Sequence, residues 1–183
     1  MSLERPEAPN PYDYLPEVPR FTVESPSFTD GANLPEDHVF NSWGLHGGNS
    51  SPALTWSGAP EGTKGYAVTC FDPDAPTPSG FWHWIVVGIP ADVTSLPAGA
   101  GTPGDADLPQ GAYHLSSDFG TRGYGGCAPP AGDIAHRYQF VVHALDTDDM
   151  GLPETTPAGQ AAFNMTMHTL GRAIITGFYQ VKA

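Results

Sequence analysis

Three clusters of polar residues stand at the ends of apolar runs, and their types and spacing could do chemistry. The first is Asp72-Pro73-Asp74-Ala75-Pro76, which follows the apolar run Gly65–Asp72. Proline lacks the N–H that a sheet ladder needs, so the chain must leave the sheet here with two carboxylates set two residues apart. The second is His83, flanked by Trp82 and Trp84 in the run 81–89. A period of two puts both tryptophans on one face of a strand and His83 on the other. The third is His136-Arg137-Tyr138, which opens the run 136–146 after a loop rich in Gly and Pro.

Each cluster taken singly has a plain structural role. An Asp-Pro turn can cap local N–H groups, a strand histidine can sit satisfied in a core, and Arg137 can pair with a nearby carboxylate. Taken together, two histidines and two aspartates at the rim of a sheet are the makings of a ligand site. The neighbouring Gly/Pro loop offers backbone N–H groups to an anion. Two close carboxylates alone would repel a phosphate. A histidine charged by them, or a ligand with an ammonium end, removes that conflict. Other chemistry is open to the same residues. Asp72 or Asp74 could orient His83 or His136 as a general base, with Cys127 as a nucleophile. The sequence has no Walker loop, no G-x-S-x-G elbow and no H-E-x-x-H pair. The His and Asp spacings match no zinc signature, so neither a metal nor a cofactor is expected.

The elements that must position these residues are mostly strands. Clear apolar runs lie at Gly65–Asp72, 81–89 and 136–146, with shorter strands expected at 53–56, 112–116 and 178–181. Residues 117–135 form a long loop, a length usually reserved for functional segments. One helix is expected over 157–175, with Thr156 as N-cap and Pro157 at its first turn. Phe163, Met167, Leu170 and Ile174 would form its apolar stripe. Residues 1–20, with five prolines, read as an extended arm anchored by Tyr12, Tyr14 and Leu15, and residues 21–183 as a single domain.

Composition sets the outer bounds. The 22 glycines and 20 prolines in 183 residues make long regular elements scarce and argue against a helical bundle. Hydrophobic residues still make up 39%, enough for a packed core. Seven Lys and Arg against 20 Asp and Glu give a net charge of −13, which opposes binding to nucleic acid or to anionic bilayers. Cys70 and Cys127 form no disulfide framework. No signal-type or membrane-spanning run is evident, so the chain is expected to be soluble and cytoplasmic.

The segments DPDAPTPSGFWHWIVVGIP (72–90) and YGGCAPPAGDIAHRYQFVVHALD (124–146) resemble the phosphatidylethanolamine-binding protein family, most closely its bacterial, Raf kinase inhibitor-like branch. D-P-D-A-P, then G-x-W-H-W, then a Pro-Pro loop, then H-R-Y form a specific series. The likeness extends over 20–181, with NSSPALTWSGAPEGTKGYAVTCFDPDAP leading into the first motif. The resemblance implies a mainly β, single-domain antiparallel β-sandwich: a large sheet packed on a smaller one, with a C-terminal helix. It also implies an anion pocket lined by Asp72, Asp74, His83, Gly126, Ala128, Pro129, Pro130, His136 and Tyr138, with Trp82 stacked beside its mouth. Family members accept phosphate-like groups, phosphoethanolamine or acetate in that pocket.

One departure stands in the loop. Bacterial relatives read G-P-C-P-P where this chain has Gly126-Cys127-Ala128-Pro129-Pro130. The expected function is therefore the binding of a small phosphorylated or carboxylated ligand, such as a phosphatidylethanolamine head group. A protein-interaction module that inhibits a kinase or protease ranks next, and a weak Asp-His hydrolase after it. The resemblance leaves a homodimer open.

Overall fold

The run Gly65–Asp72 is buried at every position, and the architecture follows from that fact. A half-solvated strand alternates apolar and polar residues, whereas a strand covered on both faces reads as a continuous apolar run. The computed structural model describes residue 3 and residues 5–183. Its larger sheet is formed by β3 (Gly65–Asp72), β4 (Phe81–Pro90), β6 (Tyr113–His114), β7 (His136–Leu145) and β8 (Thr169–Tyr179). They lie in the order β6-β4-β3-β7-β8, every neighbour antiparallel. The smaller sheet holds β1 (Thr22–Glu24), β2 (Leu54–Ser57) and β5 (Ser95–Leu96) in the order β1-β2-β5. The fold is thus mainly β, two antiparallel sheets with one helix near the C-terminus, as expected.

One face of β3 buries Val68 and Cys70, with Trp84 of β4 and Phe140 of β7, against Leu54, Trp56 and Leu96 of the smaller sheet. The other face places Ala67, Ile85 and Leu145 under Ala158, Ala161 and Met165 of α1 (Ala158–His168). Each large side chain fully buried in this way contributes about 1.5–3 kcal/mol.

The helix is shorter than its apolar spacing suggests. It ends at His168, and the chain runs directly into β8. Phe163 and Met167 are largely exposed, while Ala158, Ala161 and Met165 face the sheet. β8 pairs with β7 from Leu145↔Thr169 to His136↔Tyr179. That ladder, with its β-branched Ile174, Ile175 and Thr176, takes the segment away from the helix and overrides the helical period. The residue at the helix N-cap is Pro157 rather than Thr156, whose hydroxyl instead donates to the Pro153 carbonyl at 2.6 Å.

The proline-rich N-terminal segment lies over the helix-bearing face of the large sheet. It forms a short 3-10 turn at Pro11–Tyr14, where the Asn10 side chain accepts from the Tyr12 N–H. Tyr12 is buried under Arg172, whose guanidinium carbon sits 5.8 Å above its ring, whereas Tyr14 is 77% exposed and anchors nothing. Burial, with Arg172 nearby, pushes His143 beneath this segment down to about 3, so its ring is neutral.

The antiparallel order delivers the polar clusters to one place. The C-terminal end of β3 lies beside the N-terminal ends of both its neighbours, with Asp72 opposite Phe81 and Phe71 opposite Gln139. The loop that closes over them is threaded tightly. A Cβ on Gly126 would come within 2.5 Å of Phe40 N and 2.6 Å of His38 O, both backbone atoms that cannot swing aside. Gly126→Ala should therefore destabilise the fold by about 1–3 kcal/mol, measured by denaturant unfolding. Gly159→Ala, in open space on the first turn of α1, should stabilise it by up to about 1 kcal/mol. Equal effects at the two positions would contradict this packing.

Candidate functional site

The His136 ring, 1% exposed, lies between two carboxylates. Its Nδ1 is 2.7 Å from Asp72 Oδ2 and its Nε2 is 3.0 Å from Asp133 Oδ2. Burial works against charging this ring, but the hydrogen bonds and charges of Asp72 and Asp133 outweigh it and raise His136 above the ordinary histidine value. Both nitrogens then donate, and His136 is an imidazolium. Asp133 is itself held below the usual carboxylate range: burial opposes this, but the Arg5 and His136 hydrogen bonds prevail.

His83 has the opposite character. Its Nδ1 lies 2.8 Å from the Gly125 carbonyl and 3.1 Å from the Gly126 carbonyl. Carbonyls only accept, so Nδ1 carries the proton and Nε2 presents a bare lone pair. Burial pushes His83 below its ordinary value, further than Asp72 and the two carbonyls lift it. Nε2 stands 4.0 Å from Asp72 Oδ2. Asp72 thus faces one charged and one neutral histidine, each tuned by its surroundings.

These three side chains form the floor of a cavity of about 440 Å³. Ala128, Pro129 and Pro130 form one wall. That loop is fixed from behind. Phe40 N–H donates to the Cys127 carbonyl and Cys127 N–H to the His38 carbonyl, both at 3.0 Å, and Gly126 N–H donates to Asn49 Oδ1 at 2.8 Å. Asn49 has φ 50°, in the left-handed region that asparagine tolerates better than most residues.

Several expected site residues stand elsewhere. Asp74 is fully buried behind the cavity and takes both the Nε (2.7 Å) and Nη2 (2.8 Å) of Arg137. Tyr138 packs edge-on against His83 with centroids 5.0 Å apart and orients that ring from below. Gly126 contributes its carbonyl to His83 rather than an N–H to the cavity. Trp82 does not stack at the mouth. It lies on the opposite face of β4 from His83, against Phe71 with centroids 4.5 Å apart, because alternation along the strand sends neighbours to opposite sides. Phe81, Phe119 and Trp43 rim the cavity instead. Phe119 joins them, with centroids 4.9 Å from Phe81 and 5.0 Å from Trp43.

Phe119 and Trp43 sit in irregular segments, where no period marks a side chain as inward-facing. An aromatic in a turn-rich, otherwise polar stretch is their one signal. Asp133 and Arg5 were also missed, and only their charge types mark them in the sequence. Cys127 is fully buried, and burial and Asp72 push its thiol well up. It does not line the cavity and cannot attack a ligand there.

Residues 24–180 match the family model of the phosphatidylethanolamine-binding proteins, and the chain belongs to that family. It is 47% identical to the UPF0098 protein YbcL of Escherichia coli over 162 residues, covering 88% of each chain. It is 48% identical to YbhB of the same organism over 150 residues, covering 82% of this chain and 94% of the relative. Neither name states an activity. The crystal structure of YbcL superposes with a TM-score of 0.87, covering 88% of this chain and 99% of that one. A phosphatidylethanolamine-binding protein homologue from Chlamydia trachomatis, 27% identical, gives 0.73 over 88% and 97% of the two chains. Among the described residues, no helix is long and apolar enough to cross a membrane.

The opposite shifts of the two histidines can be read directly. NMR titration of the ring resonances should place His136 above and His83 below the ordinary value of about 6.5. His136 binds its proton more tightly folded than unfolded. Its contribution to stability is therefore complete below about pH 6.5 and drains away as pH rises through its native value. The stability difference between the wild type and His136→Gln should shrink from pH 6 to pH 9. A difference that grows with pH, or a reversed order of titration, would contradict the assigned charge states.

Proposed function

We propose that the cavity binds a small phosphorylated or carboxylated molecule, and that a phospholipid head group such as phosphoethanolamine is the natural form of that ligand. The observation that carries this reading is the unlike pair of histidines around Asp72. His136 supplies a buried positive charge beside the cavity, although both its N–H groups are engaged. His83 Nε2 is an acceptor when neutral and a donor once protonated. An anion can therefore bind with uptake of one proton, carried in by the ligand or taken up by His83. Asp72 adds a partner for the ammonium end of a zwitterion. The aromatic rim of Trp43, Phe81 and Phe119 suits a ligand whose remainder is apolar, since it offers surface rather than hydrogen bonds.

The family bond to YbcL and YbhB supports a shared pocket.

Calorimetric titration tests this. Acetate keeps a fixed charge above about pH 5.5, so any pH dependence of its binding belongs to the protein. Acetate, inorganic phosphate and phosphoethanolamine should each bind the wild type, and acetate should bind several-fold more tightly at pH 5.5 than at pH 8. His83→Ala should remove the part of that dependence that falls between about pH 5.5 and pH 6.5, where His136 stays charged, and leave only what His136 loses at higher pH. The absence of heat and of His83 or His136 shifts with millimolar phosphate and phosphoethanolamine would overturn the reading.

A further inference from the structure

The cavity accounts for His83, Asp72 and His136 but not for a guanidinium that reaches the far side of His136 from outside the sandwich. Arg5 Nη2 donates to Asp133 Oδ2 at 2.9 Å and to the Asp74 carbonyl, and it lies 3.4 Å from His136 Nε2. Asp133 Oδ2 is thus shared between the Arg5 guanidinium and the His136 ring. The Asp133 side chain is fully buried and that of Arg5 is a quarter exposed.

The segment bearing Arg5 is docked by a separate set of contacts. Ala8 N–H donates to Asp74 Oδ1 at 3.0 Å, Arg137 Nη2 donates to the Ala8 carbonyl at 2.5 Å, and Gln139 Nε2 donates to Asn10 Oδ1 at 3.0 Å. The Asp74–Arg137 pair, which lies off the cavity, is the dock. Arg5 also lies outside residues 24–180, the part that matches the family model.

The charges behind the cavity then count simply. Asp72, Asp74 and Asp133 supply three negative charges, and His136, Arg137 and Arg5 supply three positive ones. Asp74 is consumed by Arg137. Without Arg5, the carboxylates of Asp72 and Asp133 would face His136 alone. The groups around that ring are Asp72 from β3, Asp133 from the preceding loop, neutral His83 from β4, and Arg5. The cavity would then carry a surplus negative charge where an anion must enter.

We infer that Arg5 is a positioning residue for the anion pocket: it neutralises Asp133 from outside the sandwich and leaves the charge of His136 available to an incoming anion. This rests on the anion-binding reading above. Removal of one charge from behind the His136 ring, in a site of intermediate dielectric, is worth roughly tenfold in affinity.

The test uses the full chain as wild type, R5Q and R5K. Two quantities are read: the titration of His136 by NMR without added anion, and the affinity for inorganic phosphate by calorimetry at pH 6. In R5Q, Asp133 bears on His136 alone, so the ring should titrate at higher pH and phosphate should bind about tenfold more weakly. R5K should recover most of both. R5Q with unchanged phosphate affinity and unchanged His136 titration overturns the inference, whatever its melting temperature. R5K that fails to recover either quantity also overturns it, because a charge role must be restored by a charge. If the wild type binds no phosphate, the pocket reading itself fails. That failure is distinguishable, because His136 would still move in R5Q.

Discussion

Burying the His136 ring as an imidazolium costs several kcal/mol of lost hydration unless the charge is paired and both N–H groups are bonded. Asp72 and Asp133 meet both conditions, at 2.7 and 3.0 Å. Neither carboxylate is buried alone: Asp72 is paired with His136, and Asp133 with His136 and Arg5. Asp72 Oδ1 is used in turn, accepting from the Asp74 N–H at 2.8 Å, and Asp133 Oδ1 accepts from Ile134 N–H at 2.8 Å. The turn after β3 and the loop before β7 are therefore held in shape by the atoms that charge the histidine. The site and its two supporting loops form one electrostatic unit.

That unit imposes a demand on the fold. Asp72 must come from the C-terminal end of one strand and His136 from the N-terminal end of its neighbour, which an antiparallel pair with a long connection provides. The same geometry on the other side of β3 brings His83 to the floor. Because β3 is covered by the smaller sheet on one face and by α1 on the other, the triad sits at the end of a doubly buried strand, where water cannot screen it. Neutral His83 and charged His136 can coexist across Asp72 because their hydrogen-bond partners differ. Carbonyls hold one proton on His83, and carboxylates hold two on His136.

The central strands and the three polar clusters were legible in the sequence. Apolar continuity marks β3, and an interrupting histidine in β4 is visible against its neighbours. The end of the helix was not legible. Phe163, Met167, Leu170 and Ile174 keep helical spacing across a junction where the chain has already become strand, because pairing with β7 decides the segment and no local residue announces it. The family resemblance implies Trp82 beside the mouth, whereas period-two alternation puts it on the face of β4 opposite His83, against Phe71. Asp133, Arg5 and Phe119 carry no periodic sequence signal for a common reason. They act from loops, where position is set by long-range contacts such as Arg5 to Asp133 rather than by any repeat.

The overall charge of −13 gains meaning from this arrangement. An acidic surface opposes the approach of an anion at long range, but at physiological salt that field decays over about 8 Å. Inside the cavity, screening is weaker and the nearest fixed charges count for more. A cation placed on the surface would be screened and worth little. One held behind a buried ring is screened less and would bear more strongly on whatever occupies the floor. With only two lysines in the chain, the positive charges near this site are His136, Arg137 and Arg5, and each is fixed to a buried aspartate. Such pairs are nearly neutral when seen from afar and strongly polar at close range. On the proposed reading, an anion would be selected by fit at the floor rather than by steering from solution.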